Sequence, residues 1–370
     1  MPEDARRHNR ALVLRTLFRG GPLSRADLAR VTRLTPASMS DLVGELLEAG
    51  IVEEVGRREG QGVGKPATLL EIVPDARHVV CLDLSDDAHL HGARVNLAGK
   101  VLDRRTVDWD GRTGDAAVEL AAQLAVDLVR SSDAPVLGIG VGSPGVVDAN
   151  GVVLEAAGLR WHGVPVAERI AAAVGAAVGG NLRVDVVNDA NAAALAERTF
   201  GTAEGPAAQN LLLVKIGQGV GAGLLIDGRL FVGDRFAAGE IGHVVVDERG
   251  DVCVCGRRGC LETVVAMPNV RRRLAEAGPS GHSRVLAAAG RRLGGALATV
   301  VSTLNLDHVV LSGPAELLGE PFRSAVADTI RRRAIPAVAE HVELTISSLG
   351  EDDVLLGAAV MVLAEELGVV

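Results

Sequence analysis

The chain has 370 residues, 48% of them apolar and 23% charged, so it can bury two or three cores of ordinary domain size and is not a disordered protein. Aromatic residues make up only 2% and tyrosine is absent, which argues against nucleic-acid binding through stacked aromatic platforms. The formal net charge is −9, yet residues 1–40 carry +5, because eight arginines there outnumber three acidic side chains. A basic head on an acidic body indicates that only the head meets a polyanion.

Three short helices are predicted at the N-terminus. Apolar residues recur at helical spacing over residues 7–19, and a Gly-Gly-Pro sequence then ends the pattern. Ser24 is placed to cap a second helix, with Asp27 as the acidic partner of a capping box. Thr35 is placed to cap a third helix, and the proline after it occupies the first helical position.

Two strand-like segments, IVEEV and ATLLEIV, follow the helices and flank a Gly- and Arg-rich wing at residues 56–66. This order predicts a winged helix-turn-helix over residues 1–74. The second helix of such a pair presents its N-terminal residues to base edges, while nearby arginines contact phosphates and wing cations suit the minor groove. The predicted DNA-binding residues are Arg25, Arg33, Ala37, Ser38, Ser40, Arg57, Arg58 and Lys65. The alternative is a three-helix packing module whose arginines form a solvated face.

From His78 onwards, apolar strands alternate with Ala-rich helices, which predicts an α/β domain over residues 78–370. The strands are predicted to include the segment HVVVD at 243–247. We expect two lobes, the first at roughly 78–190 together with the C-terminal helix and the second at roughly 191–345. The start of the chain lacks an apolar targeting segment and no apolar run is long enough to span a bilayer, so we expect a cytoplasmic protein without a membrane partner.

The segment CVCGRRGC offers three thiolates, Cys253, Cys255 and Cys260, within eight residues. In a reducing compartment such spacing favours a metal over a disulfide, and His243 can complete a tetrahedral Cys3His set. Four protein ligands leave no open position, so the expected cofactor is a structural Zn²⁺. The alternative is a cluster of buried thiols or a redox pair. Cys81 stands alone in an apolar strand and is predicted to be a core residue.

Several motifs together resemble the ROK family of repressors, open reading frames and sugar kinases. They are GVGSPGVVD at 140–148, VNDANAAALAE at 187–197, AGEIGH at 238–243 and CLE at 260–262. The resemblance runs from end to end and covers about 290 residues beyond the head. It implies a two-lobed hexokinase/actin-like fold behind the winged helix-turn-helix, usually in a homodimer or homotetramer.

The resemblance also implies a sugar site in the cleft between the lobes. The family's sugar contacts fall here on Gly145, Asn188, Asp189, Glu240, His243 and Glu262. Carboxylates and an amide suit the vicinal hydroxyls of a pyranose. One ring nitrogen of His243 can bind zinc while the other faces a sugar hydroxyl, so the metal would order the sugar pocket.

The loop that distinguishes ROK kinases is altered in this chain. Family kinases carry D-x-G-G-T after the first strand, where glycines let backbone N–H groups approach the triphosphate. The corresponding residues are Asp83-Leu84-Ser85-Asp86-Asp87, whose two last carboxylates would repel phosphate. Asp189 matches the kinase base, and without nucleotide it has nothing to activate. The chain is therefore predicted not to be an enzyme.

These residues predict a homo-oligomeric repressor of carbohydrate-metabolism genes that binds a palindromic operator DNA. A small sugar or sugar phosphate in the cleft would change its affinity for that operator. One alternative is a ROK sugar kinase that phosphorylates a hexose with ATP and carries an attached DNA-binding head. Another is a regulator controlled by a protein partner instead of a sugar.

Overall fold

The computed structural model describes residues 2–57, 67–201 and 209–369. The head, as we call residues 2–72, holds three helices and an antiparallel sheet of order β1-β3-β2. Its elements are α1 (Pro2–Gly20), β1 (Leu23–Ser24), α2 (Arg25–Thr32), α3 (Pro36–Glu48), β2 (Val52–Arg57) and β3 (Thr68–Ile72). The order and type of these elements agree with a winged helix-turn-helix. Most of the predicted wing, with Arg58 and Lys65, lies outside the described residues.

Local side-chain bonds begin the second and third helices, as the sequence predicts. The Ser24 hydroxyl accepts the backbone N–H of Asp27 at 3.2 Å, and the Asp27 carboxylate accepts the Ser24 N–H, which completes the capping box. The Thr35 hydroxyl accepts the N–H of Ser38 at 3.2 Å, with proline at the first helical position.

A five-stranded sheet of order β11-β7-β4-β5-β6 follows the head, and we call it the first sheet. Strands β11, β7 and β4 are parallel, while β5 and β6 extend the sheet antiparallel. The elements in this part are β4 (His78–Asp83), β5 (His89–Asn96), β6 (Val101–Asp108), α4 (Asp115–Arg130), β7 (Val136–Ser143), β8 (Val146–Val147), β9 (Val153–Ala156), β10 (Trp161–Val164), α5 (Val166–Val178), β11 (Val184–Asn188) and α6 (Asp189–Phe200).

The second sheet has five strands in the order β14-β13-β12-β15-β16. Strands β12, β15 and β16 are parallel, and β13 and β14 run antiparallel to their neighbours. Its elements are β12 (Leu211–Ile216), β13 (Val220–Ile226), β14 (Arg229–Leu230), α7 (Glu262–Val265), α8 (Met267–Ala277), α9 (His282–Leu304), β15 (His308–Ser312), α10 (Glu320–Arg333), α11 (Pro336–Ala339), β16 (Glu343–Ile346) and α12 (Asp353–Leu367).

Helices α6 and α12 pack against each other between the two sheets, and small residues allow their close approach. A Cβ on Gly357 of α12 would lie 1.8 Å from the carbonyl oxygen of Ala192 on α6. A Cβ on Gly140 of β7 would lie 2.1 Å from the carbonyl oxygen of Ala358, again on α12. The last helix of the chain therefore packs against the first sheet.

The segment 243–247 is not the strand that its β-branched residues predict. Residues Ile241–His243 form a 3-10 turn, and Val245 makes a single antiparallel bridge, to Cys260. The side chains of Val244 and Val245 are 48% and 44% exposed, so they find no apolar face to pack against. The β-branched residues mislead here because the segment pairs only briefly, through backbone hydrogen bonds with Gly259 and Leu261, and joins no sheet.

The head shares one hydrophobic core with the first sheet and α12. Buried residues of α1 and α3, such as Leu14 and Met39, belong to the same cluster as Val79 of β4 and Leu363 of α12. The guanidinium of Arg15 on α1 donates to the carbonyl of Gly368, the C-cap of α12, at 3.0 and 3.1 Å. The head is thus packed directly on the end of α12. Among the described residues, no helix is both long and apolar enough to cross a bilayer.

Candidate functional site

Four predicted metal ligands come together in one loop cluster. The side chains of His243, Cys253, Cys255 and Cys260 place one ligand atom each within 4.8 Å of all the others. The His243 Nδ1 lies 3.6 Å from the Cys253 sulfur, and the Cys255 and Cys260 sulfurs are 3.6 Å apart. The bridge between Val245 and Cys260 and the backbone bond from Cys253 N–H to the Arg257 carbonyl hold the two ends of the loop.

These separations fit a tetrahedral zinc ion. Sulfurs at about 2.3 Å from Zn²⁺ in a tetrahedron lie about 3.8 Å from each other, and a sulfur and an imidazole nitrogen lie about 3.6 Å apart. Burial raises the pKa of the Cys253 thiol to about 12, so this sulfur is neutral at pH 7 unless a cation offsets its negative charge. Both the spacing and the chemistry of the donor set therefore suit a metal ion.

His243 connects this cluster to a set of carboxylates. Its Nδ1 faces the sulfurs, while its Nε2 lies 3.7 Å from the carboxylate of Glu240. Burial raises the pKa of Glu240, the charge of His243 lowers it, and the nearby charges of Asp189, Glu262 and Glu155 raise it further. The imidazole thus has one nitrogen on each side of the boundary between the metal cluster and the polar site.

Glu262 is held from the opposite side by the glycine-rich loop 217–221. The Val220 N–H donates to its Oε2 at 3.3 Å, and a Cβ on Gly219 would lie 2.8 Å from the same oxygen. Its other oxygen lies 3.5 Å from the Cys253 sulfur. Glu262 therefore borders both the metal cluster and the loop that begins β13.

Asn188 and Asp189 lie where β11 ends and α6 begins. The Asn188 side chain caps α6 by accepting the Asn191 N–H at 3.0 Å, and its amide donates to the Gly145 carbonyl at 2.9 Å. Gly145 has φ of +82°, and a Cβ there would lie 1.9 Å from the Glu155 carbonyl oxygen, so only glycine fits this turn. The six residues predicted as sugar contacts thus surround one region where the two halves of the α/β part meet.

Lys215, on β12, is a central residue of this region that the sequence reasoning missed. Its Nζ lies 3.7 Å from the Asp189 carboxylate and 3.5 Å from the Ser85 hydroxyl. Burial alone would lower the pKa of Lys215, but the charges of Asp353, Asp189 and Asp83 outweigh it and raise the pKa above its ordinary value. One largely buried ammonium therefore interacts with three carboxylates from different segments of the chain.

Two of the three carboxylates around Lys215 are buried. Asp83 at the end of β4 is 7% exposed and Asp353 at the start of α12 is 4% exposed. Burial raises the pKa of Asp353 and of Asp189, and the charge of Lys215 opposes the shift in both. The Ser312 hydroxyl donates a hydrogen bond to Asp353. A lysine inside the apolar run LLLVKIG was a sequence signal for this group, because a charge in a buried strand requires partners.

The altered loop 83–87 contacts the glycine-rich loop 217–221 across the junction. Besides the bond from Lys215 to Ser85, the Gln218 amide donates to the Asp87 carboxylate at 2.8 Å. The Ser85 N–H donates back to the Asp83 carboxylate at 2.8 Å, and Leu84 is buried. The two loops are therefore joined to each other by side chains.

Some of the predicted DNA-binding residues are exposed, and others already have hydrogen-bond or ion-pair partners within the head. Ala37 and Ser40 are exposed on α3, and Arg33 is exposed in the turn before it. The Ser38 hydroxyl accepts a hydrogen bond from Thr35, and the Arg25 guanidinium pairs with Glu54 of β2 at 3.0 Å. The side chain of Arg57 lies outside the described part of the structure, with Arg58 and Lys65. Among the described residues of this surface, the exposed face of α3 and Arg33 before it are accessible to DNA.

Comparison with known proteins assigns the chain to a family. The model of the ROK family matches residues 80–365. A xylose repressor of Caldicellulosiruptor bescii is 30% identical over 97% of this chain and 96% of its own length. The chain belongs to the ROK family.

Solved structures separate two kinds of ROK relative. The crystal structure of a ROK-family transcriptional regulator, a homolog of the Escherichia coli Mlc protein, matches 99% of this chain and 98% of its own with a TM-score of 0.84 and 26% identity. A ROK hexokinase from Thermus thermophilus, 29% identical, matches 78% of this chain and 98% of its own with a TM-score of 0.64. The two-lobed hexokinase/actin-like fold behind a winged helix-turn-helix is therefore confirmed. The regulator matches nearly the whole chain, and the kinase matches about three quarters of it.

Proposed function

We propose that the protein is a sugar-responsive, DNA-binding repressor of carbohydrate-metabolism genes. The observation that carries the proposal is the match of nearly the whole chain, head included, to a ROK transcriptional regulator. Residues 1–74 form its DNA-binding domain and residues 78–370 its sugar-sensing domain. The exposed N-terminal face of α3, with Ala37 and Ser40, enters the major groove of the operator. Two heads of a homodimer, or a pair within a homotetramer, bind a palindromic site.

The sugar binds between the lobes, among Gly145, Asn188, Asp189, Glu240, His243 and Glu262. The proximity of these carboxylates to one another, with an imidazole and an amide beside them, supports this assignment. A structural zinc held by His243 and the three cysteines would stabilise the loop and orient the His243 ring. Such a zinc would not act as a Lewis acid toward the sugar, because four protein ligands would complete its coordination shell.

The surroundings of Lys215 support a protein that does not transfer phosphate. Its ammonium lies among Asp83, Asp189 and Asp353 and offsets part of their negative charge, so these carboxylates already have a cationic partner within the chain. The contact between Gln218 and Asp87 joins the two loops that would otherwise hold phosphates. In this protein Asp189 accepts hydrogen bonds from the effector and removes no proton.

Helix α12 offers a physical route from the sugar site to the head. It begins at Asp353, near Lys215, and is followed by its C-cap Gly368. The Gly368 carbonyl accepts a hydrogen bond from Arg15 of the head. Its 15 residues span about 22 Å. A sugar that binds one arrangement of the lobes better than another shifts the position of α12 and with it the operator affinity of the paired heads.

Operator binding tests the proposal directly. Fluorescence anisotropy with DNA from upstream of the protein's own gene is expected to show specific binding at moderate salt. One member of a panel of xylose, glucose, mannose, N-acetylglucosamine and their phosphates should change the affinity at least about 10-fold, a coupling of ordinary size.

A37E adds a negative charge to the groove-facing side of α3 and should weaken binding at least as much. The matched control A275E adds the same charge at an exposed position of α8 and should bind the operator with wild-type affinity. Absence of specific DNA binding by the wild-type chain would sink the proposal.

A coupled ADP-release assay with the same sugars and ATP distinguishes the two kinds of ROK protein. No turnover above background is expected, because the carboxylates of Asp86 and Asp87 would repel phosphate and the loops joined by Gln218 and Asp87 oppose nucleotide binding. Turnover that disappears in D189N would establish the kinase alternative. An operator response that no sugar produces, with a partner recovered in pull-down, would favour control by a protein.

A further inference from the structure

A second group of metal-ligating side chains lies away from the cysteine cluster. Asp86, in the loop after β4, and His89 and His91, on β5, place one ligand atom each within 4.8 Å of the others. The two histidines are separated by one residue on a strand, so their side chains share a face of the sheet. All three residues are partly exposed, and an ion could reach them from solvent.

Each imidazole is held on one side by a residue of the neighbouring strand β6. Across the register of the two strands, Asp108 faces His89 and Thr106 faces His91. The His89 Nε2 lies 3.3 Å from the Asp108 carboxylate, and the His91 Nδ1 lies 3.2 Å from the Thr106 hydroxyl. Histidines that bind metals commonly have an acceptor of this kind on the second nitrogen, which orients the ring.

The remaining ring nitrogens both face Asp86. The His89 Nδ1 lies 3.6 Å from its Oδ1, and the His91 Nε2 lies 3.9 Å from its Oδ2. These separations are too long for hydrogen bonds. Nitrogen and oxygen ligands at about 2.0–2.1 Å from one tetrahedral ion lie about 3.4 Å apart, so a small adjustment of the side chains would bring all three into one coordination shell.

The Asp86 carboxylate is positioned without any ion. Its Oδ1 accepts the backbone N–H groups of Ala88 at 2.7 Å and His89 at 2.9 Å, which leaves Oδ2 directed toward His91. A site whose ligands are held in place by backbone and neighbouring side chains loses little conformational freedom on binding. The three ligand groups are therefore largely preorganised.

We propose that Asp86, His89 and His91 bind one divalent transition-metal ion, with water in the remaining positions. Two imidazoles and one carboxylate favour Zn²⁺, Ni²⁺ or Co²⁺ over Mg²⁺ or Ca²⁺, which prefer oxygen ligands. The ion would anchor loop 83–87, whose Asp87 accepts the Gln218 amide from the other half of the molecule. The site is separate from the Cys3His cluster and requires neither DNA nor sugar.

Equilibrium dialysis of the full chain against micromolar Zn²⁺, followed by elemental analysis, tests the site. The readout is the difference between variants, so it does not depend on the occupancy of the cysteine cluster. Wild type is expected to hold one more zinc per chain than H89Q/H91Q. H162Q, which alters an exposed histidine of β10, should retain the wild-type value. D108A removes the outer acceptor of His89 and should weaken the additional site about 10- to 100-fold.

Three results would overturn the proposal, two from the histidine variants and one from D86N. One is equal zinc content in wild type and H89Q/H91Q when both show the same thermal midpoint in the absence of added metal. The other is an equal loss in H162Q, which would mark nonspecific binding to surface histidines. D86N provides an independent variant, because an amide oxygen can still accept the two backbone N–H groups while the charge that attracts the ion is gone. Unchanged zinc affinity in D86N would likewise contradict the assignment.

Discussion

Replacing Lys215 with methionine is expected to lower the free energy of unfolding by about 3–5 kcal/mol, the usual effect of removing one partner from a buried ion pair. Methionine matches the length of the lysine stem, so packing changes little. The substitution removes the positive charge that now interacts with the carboxylates of Asp83, Asp189 and Asp353. Urea unfolding followed by circular dichroism measures the difference. The matched control K100M removes an exposed lysine and should stay within about 0.5 kcal/mol of wild type.

The deficit of K215M should shrink as the pH falls from 8 to 5. Burial raises the pKa of Asp189 and Asp353 in the folded protein, and without Lys215 the largest effect that opposes this shift is gone. A carboxyl group whose pKa is higher folded than unfolded binds more protons in the folded state, so its protonation stabilises the fold as the pH decreases. Lys215 itself has a raised pKa, and its contribution in wild type is complete below about pH 10.4 and is lost above it. A deficit that is the same at pH 8 and pH 5, or smaller than about 1 kcal/mol at pH 8, would contradict this account.

C260S is expected to abolish stoichiometric zinc binding at the cysteine cluster and to lower the free energy of unfolding by more than about 4 kcal/mol, as the loss of a structural metal can do. Cys260 is fully buried, and its sulfur lies 3.6 Å from that of Cys255. Because the His243 ring would lose its metal, the response of operator binding to the effector should fall as well. Elemental analysis, thermal unfolding and the anisotropy assay provide the three measurements.

C81A is the matched control for C260S. Cys81 is also fully buried but lies in β4, outside the cluster. Its replacement should reduce stability through lost packing while zinc content and the effector response remain at wild-type values. If C260S loses zinc and yet responds to the sugar with unchanged affinity, the metal supports the loop alone and does not order the sugar site.

The sequence predicted what short segments of the chain decide. The capping box of Ser24 and Asp27 and the start of α3 after Thr35 follow from side chains that bond to backbone three residues away. The cysteine cluster was equally accessible, because three of its four ligands lie within eight residues and glycines allow the loop to fold around them. The resemblance to the family led to the prediction that Asn188 and Glu240 belong to one sugar site, and that assignment stays a prediction.

Only the tertiary structure decided which distant groups meet. Lys215, Asp83, Asp189 and Asp353 come from four separate segments, and no local spacing relates them. His89 and His91 lie close to Asp86 along the chain, but only the pairing of β5 with β6 brings Asp108 and Thr106 to their outer nitrogens. The cluster of His243 and the three cysteines could be predicted because its members lie close together along the chain. The surroundings of Lys215 could not, since their electrostatics depend on how two sheets and α12 pack together.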